Sequence, residues 1–153
     1  MKYTETEVVF KEVPDEITLA INISGCPCRC PGCHSPHLWE DVGYELNEEA
    51  IRGLVESNRG ISCVSFMGGD ADPREVIRLA GFVKANFPGI KTSWYSWRST
   101  IPEDIDLENL DYIKIGPYIE EKGGLNNPDT NQIFYKITNG SLEDITYKFR
   151  KRF

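Results

Sequence analysis

The chain has 153 residues, of which 40% are hydrophobic and 27% charged, enough for one hydrophobic core and a single domain spanning residues 1–153. Seventeen lysines and arginines face 24 aspartates and glutamates, a formal net charge of −7. That balance excludes non-specific nucleic-acid binding, which needs basic surface to neutralise phosphates. No run approaches the roughly 18 consecutive apolar residues of a membrane helix, so no membrane partner is expected. There is no internal repeat and no low-complexity tract.

Glu7 to Val13 is a strand candidate ending at Pro14. Ile17, Leu19, Ile21 and Ile23 then alternate with Thr18, Ala20 and Asn22, the period of two that marks a strand. This strand runs into Ser24-Gly25 and a loop holding four of the five cysteines: Cys26, Cys28, Cys30 and Cys33. Gly25, Pro27, Pro31 and Gly32 interleave the thiols, so the segment coils as a loop. Cys26, Cys30 and Cys33 stand as C-x3-C-x2-C, with Cys28 an extra thiol.

Thiolates are soft ligands that suit zinc or iron–sulfur clusters. Three of them in one short loop can hold three irons of a cubane and leave the fourth iron open to a small molecule. A disulfide framework is the competing reading, but it belongs to oxidising compartments. Met1 leads into K-Y-T-E-T-E with no apolar signal segment, which together with the crowded thiols points to the reducing cytoplasm. Structural zinc on Cys30 and Cys33 with His34 or His37 is a further alternative, for which Cys63 is the one distant thiol.

Asn47 followed by Glu48 and Glu49 predicts a helix N-terminus, with Ile51, Leu54 and Val55 as its apolar stripe and Gly60 as its stop. Ile61 to Phe66 predicts a strand in which Cys63 acts as a small buried hydrophobe. It ends in Met67-Gly68-Gly69-Asp70. Asp72-Pro73-Arg74-Glu75 then opens a second helix, which runs to Asn86 and stops at Phe87-Pro88-Gly89. Ile90 to Ser96 reads as a strand, and the acidic stretch from Pro102 to Asp111 as a surface turn or short helix.

Tyr112 to Ile115 predicts a short strand entering Gly116-Pro117, followed by a long loop from Tyr118 to Asn131 of the kind that usually carries function. Ile133 to Thr138 is a strand, and Asn139-Gly140 a hairpin turn. The basic end, Lys148 to Phe153, reads as a solvated tail; Lys114 and Gly116 sit at another strand end as candidates for the site, with a solvated lysine as the alternative for Lys114. Strands alternating with helices indicate an α/β domain with a largely parallel sheet. The chain is too short for an eight-unit barrel of about 250 residues, so an open, partial barrel is expected.

Two glycines after a strand let a ligand approach the backbone closely, and the adjacent Asp70 offers a carboxylate for a cationic amine. On these residues the chain resembles the radical S-adenosylmethionine superfamily. Cys26, Cys30 and Cys33 match its cluster motif, and Gly68-Gly69-Asp70 its glycine-rich motif. More narrowly, Gly25, the C-P-G-C run ending at Cys33, Trp39, Gly116-Pro117-Tyr118-Ile119-Glu120-Glu121 and Asn131-Gln132 resemble the anaerobic ribonucleotide reductase activating proteins. The resemblance covers roughly Ile17 to Lys136.

It implies a small open partial (β/α) barrel of the radical S-adenosylmethionine type. Cys26, Cys30 and Cys33 would hold a 4Fe–4S cluster, and the cofactor would be S-adenosylmethionine. The implied partners are the anaerobic ribonucleoside-triphosphate reductase, on which a glycyl radical is made, and an electron donor such as flavodoxin or ferredoxin. Under the same resemblance Gly32 and His34 line the S-adenosylmethionine site beside Cys33, with a plain loop histidine as the alternative for His34. Tyr95 and Ser96 approach the ribose, with a packed tyrosine as the alternative. Two other function classes stand beside this one: a radical enzyme acting on a small molecule or on another glycyl-radical enzyme, and a non-catalytic zinc or electron-transfer module.

Overall fold

A computed structural model describes residues 1–25 and 42–150. Strands β1 (Lys2–Val9), β2 (Thr18–Ile23) and β3 (Tyr44–Glu45) precede helix α1 (Glu48–Ser57). Then follow β4 (Cys63–Met67), α2 (Pro73–Asn86), β5 (Lys91–Tyr95), β6 (Tyr112–Ile115), β7 (Ile133–Thr138) and β8 (Ser141–Asp144). All eight strands form one sheet in the order β3-β1-β2-β4-β5-β6-β7-β8. β3 and β8 are its two edges, so the sheet is not a closed barrel.

The sheet is mixed, where the sequence suggested a largely parallel one. β2, β4, β5 and β6 run parallel to one another, while β1, β3, β7 and β8 pair antiparallel. The predicted first strand is also displaced toward the N-terminus. Residues Tyr3 to Val9 pair with β2, and the chain then bends through Asp15, which has a left-handed φ of 67°. β1 lies next to the sheet edge and alternates threonines with exposed Glu5 and Glu7, so it lacks the apolar pattern that a central strand would show.

Both helices begin where the capping residues fall. The Asn47 side chain accepts the Ala50 N–H and the Asp72 side chain accepts the Glu75 N–H, each satisfying a donor that has no partner within the helix. Proline at the start of α2 costs nothing, because its missing N–H would be unsatisfied there anyway. α2 buries Val76, Ile77, Leu79, Ala80 and Val83, and α1 buries Ile51 and Val55. They cover one face of the sheet, where Leu19, Ile21, Ile23, Val64, Phe66, Trp94 and Ile113 form the main core.

Strand alternation turns the remaining side chains to the second face, where the register stacks them in rows. Thr18, Cys63 and Lys91 form the row nearest the amino ends of the parallel strands. Ala20, Ser65, Ser93 and Tyr112 form the middle row, and Asn22, Met67, Tyr95 and Lys114 the row nearest the carboxyl ends. A smaller apolar cluster of Val13, Cys63, Tyr95, Tyr112, Leu125, Phe134 and Ile145 packs on this face. Cys63 has no exposure and is a buried free thiol, as the sequence suggested.

The C-terminal end departs from the solvated tail expected of it. Thr146–Arg150 form a 3-10 turn; Phe149 packs edge-on against Phe134 at 5.0 Å between centroids, and Lys148 pairs with Asp15 at 3.1 Å. The turn therefore closes over the second apolar cluster. The Asn139-Gly140 hairpin forms as predicted, with φ of 51° and 78° at the two turn residues. Among the described residues, no helix is long and apolar enough to cross a membrane.

Candidate functional site

Because β2, β4, β5 and β6 are parallel, the segments that follow them leave the sheet at one rim, where α/β folds bind ligands. Ser24-Gly25 follows β2, Gly68-Gly69-Asp70 follows β4, Ser96-Trp97-Arg98 follows β5, and Gly116-Pro117 follows β6. Hydrogen bonds lace these exits together. The Gly68 N–H donates to the Tyr95 carbonyl at 3.0 Å, the Ser96 N–H to the Lys114 carbonyl at 2.9 Å, and the Gly116 N–H to the Arg98 carbonyl at 2.6 Å. The Trp94 indole donates to the Gly68 carbonyl at 2.7 Å.

Cys26, Cys28, Cys30, Gly32, Cys33, His34, His37 and Trp39 lie outside the described residues. Among the described residues, no group of three or more His, Cys, Asp or Glu side chains forms a metal site. The described chain nevertheless fixes where the cysteine loop starts. Ser24 is buried at the end of β2, its N–H donating to the Lys2 carbonyl at 3.0 Å, and its hydroxyl accepts the Val42 N–H at 3.2 Å. One residue thus ties the chain entering the loop to the chain leaving it.

Both glycines of the β4 exit are required by their surroundings. Gly68 has φ of 105°, and a Cβ there would lie 3.2 Å from the Ile23 carbonyl oxygen, so a side chain would wedge apart the ends of β2 and β4. Gly69 has φ of 88°, and a Cβ there would meet the Val76 Cγ2 at 2.6 Å. The close approach at Gly69 is therefore made by α2.

Asp70 has no exposure. The Ser96 hydroxyl donates to its Oδ1 at 2.5 Å, the Trp97 N–H to its Oδ2 at 3.0 Å, and the Arg98 guanidinium lies 3.6 Å from Oδ1. Arg98 also donates to the Asp70 backbone carbonyl at 2.6 Å. Burial raises the Asp70 pKa, opposed by the Ser96 and Trp97 hydrogen bonds and by the positive charges of Arg98 and Lys114. The sequence offered Asp70 as an acceptor for a ligand amine. In the fold both its oxygens hold the β5 exit, so it braces the rim.

Ser96 is buried beside Asp70, as its place after β5 suggested. Tyr95 faces the other way: its ring packs against Phe134, its hydroxyl donates to the Glu12 carbonyl, and burial pushes its pKa well up. It is a packed tyrosine. Lys114, for which a solvated lysine was the alternative reading, is 1% exposed. Its ammonium lies 3.5 Å from the Trp97 ring centroid and 5.4 Å from that of Tyr95, and donates to the Gly116 carbonyl at 3.2 Å. A lysine in a four-residue strand gives no sign of burial until the register sets it between two aromatic neighbours.

Trp97 and Arg98 complete the rim beside Lys114, and sequence reasoning gave neither of them a role at a site. The signal available for Trp97 was an aromatic directly after a predicted strand end. A separate cleft of about 570 Å³ opens near the amino ends of β5 and β6, lined by Lys84, Lys91, Glu108, Asp111, Tyr112 and Lys136 among others. Lys84 pairs with Asp111 at 2.7 Å and Lys91 with Glu16 at 3.2 Å, so most of its positive charge is already neutralised.

A family model described as a 4Fe-4S single cluster domain matches residues 17–127. The match runs from the start of β2 to the loop after β6 and so takes in all four exits. Neither a curated protein nor a solved structure matches the chain.

Proposed function

Because the chain belongs to the family of 4Fe-4S single cluster domains, and is thus an iron–sulfur protein, we propose that it is a radical S-adenosylmethionine activase. Its substrate is a backbone glycine of the anaerobic ribonucleoside-triphosphate reductase. The observation that carries this reading is the shared rim: the cysteine loop leaves β2 beside the point where Gly68-Gly69-Asp70 leaves β4. Ser24-Gly25, which leads into the cysteine loop, and the glycine exit of β4 thereby become neighbours.

The donor set suits the group. Cys26, Cys30 and Cys33 are three soft thiolates in C-x3-C-x2-C, the number that leaves one iron of a 4Fe–4S cluster without a protein ligand. Cys28 is surplus to that spacing, and Cys63 is a buried thiol within β4. Held by Cys26, Cys30 and Cys33, the cluster would supply one-electron reduction of the S-adenosylmethionine sulfonium, with a donor such as flavodoxin or ferredoxin as the electron source, methionine as one product and deoxyadenosine as the other once a hydrogen atom is taken from the substrate glycine.

The remaining residues orient that ligand. Gly68 keeps the β2–β4 junction clear of side chains, so backbone groups meet the methionine end. Asp70 holds Ser96 and the Trp97 backbone in place as the wall toward the ribose, and Gly32 and His34 flank the last cysteine ligand. The open sheet, with Asn22 and Met67 half-buried at its carboxyl rim, suits a radical-type partial barrel that admits a segment of another protein.

The test mixes anaerobically reconstituted, reduced protein with S-adenosylmethionine and the anaerobic reductase of the same source. Electron paramagnetic resonance should show a glycyl radical doublet on the reductase, absent with Cys30→Ala. Deoxyadenosine without any protein radical, accelerated by a small metabolite, would move the substrate from a protein to a small molecule.

A further inference from the structure

The cleft of about 570 Å³ opens at the amino ends of β5 and β6, the rim opposite the four exits. Leu110 and Ile137, both buried, line its apolar part, and three lysines and the β7–β8 turn its polar part. A small-molecule site has this size and this mixture of apolar surface with a few convergent polar groups.

Two of the lysines are fixed by carboxylates: Lys84 by Asp111, which also accepts the Thr92 N–H, and Lys91 by Glu16. An ammonium has three donors, so one ion pair leaves others to spare. Lys136 differs. It makes no ion pair or hydrogen bond among the described residues, although Glu143 stands opposite it on β8. Thr138 lies two positions further on the same face of β7, and Asn139 and Gly140 follow at the turn. Both turn residues have the left-handed φ of a tight hairpin in which Thr138 pairs with Ser141. Their N–H groups stand outside the ladder, and neither makes a hydrogen bond among the described residues. Successive free N–H groups in a turn form a concavity that suits an anion.

We propose that this cleft binds a small molecule by its phosphate group, with the Lys136 ammonium and the Asn139 and Gly140 N–H groups as the phosphate's partners. Lys84 and Lys91, held in place by their carboxylates, supply further donors from the α2 and β5 side. Leu110 and Ile137 meet the apolar part of the carrier. Glu108 also lines the cleft and makes no side-chain contact with a cation among the described residues. Its charge opposes an anion and so gives the proposal a test of sign. This site is independent of the activase reading and lies at the other end of the parallel strands.

The experiment titrates isotope-labelled, anaerobically reconstituted protein with inorganic phosphate and with glycerol phosphate, the ionic strength held constant with sodium chloride. The amide signals of Asn139 and Gly140 should shift and saturate with both probes, and more tightly with glycerol phosphate, which has a carbon skeleton to occupy the cleft. Lys136→Ala should weaken the binding about tenfold, the scale of one charge-assisted hydrogen bond. Glu108→Gln should tighten it about twofold, the scale of one exposed charge. Lys11→Ala, an exposed lysine on the β1 side of the sheet, should leave it unchanged. All three residues are exposed, so the variants keep the fold. No saturable shift at the turn with either probe overturns the inference. So does equal weakening by Lys136→Ala and Lys11→Ala, which would reduce the effect to diffuse charge, or weaker binding by Glu108→Gln, which would make the cleft a cation site.

Discussion

Asp70 shows at the scale of one residue how burial and hydrogen bonding contend. Its carboxylate is withdrawn from water and held by Ser96, the Trp97 N–H and Arg98. Burial prevails, and the folded-state pKa lies above the ordinary value. A raised carboxyl pKa means that the folded state binds the proton more tightly than the unfolded chain. The stability it contributes is full below the unfolded value near pH 3.9 and is lost as pH rises through the folded pKa. Wild type should therefore gain stability relative to Asp70→Asn as pH is lowered from 7 toward 4, measured by urea midpoints. The opposite trend would mean that the donors outweigh burial. The carboxylate in a glycine turn was legible in the sequence; its partners were not, because Ser96 to Arg98 lie 26 to 28 positions away and meet it only through the β4–β5 pairing.

Elements with a local signature were the readable ones. Asn47 and Asp72 mark the two helix starts, and β6 and β7 fall on the expected residues, because caps and short apolar runs declare themselves within a few positions. β1 was misplaced because a strand beside an edge, with glutamates facing water, has little apolar periodicity to read. The final turn was taken for a tail because Lys148, Arg150, Lys151 and Arg152 mask the one ring that matters, Phe149. That ring packs on Phe134 beneath the turn. Phe149→Ala should lower unfolding stability by roughly 1–3 kcal/mol, a half-buried aromatic losing less than a fully buried one. Chemical denaturation measures this, and a change within about 0.5 kcal/mol, the range of ordinary surface substitutions, would return the segment to the solvated tail first expected.

At the scale of the molecule, two faces and one rim divide the work. The helices and the main core stabilise one face, a smaller apolar cluster closes part of the other, and the parallel strands deliver four exits to the same edge. Parallel pairing followed from strands separated by helices, so the rim was largely legible. The antiparallel flanks that make the sheet mixed depended on long-range pairings that no local pattern encodes.

The central claim is that this rim holds a 4Fe–4S cluster on Cys26, Cys30 and Cys33 with S-adenosylmethionine beside it. The most direct measurement quantifies deoxyadenosine and methionine after the anaerobically reconstituted protein is reduced in the presence of S-adenosylmethionine. The prediction is equal amounts of the two products from wild type and from Cys28→Ala, and neither from Cys26→Ala, Cys30→Ala or Cys33→Ala. A reduced, fully loaded cluster that leaves S-adenosylmethionine intact, or full cleavage by Cys30→Ala, would contradict it.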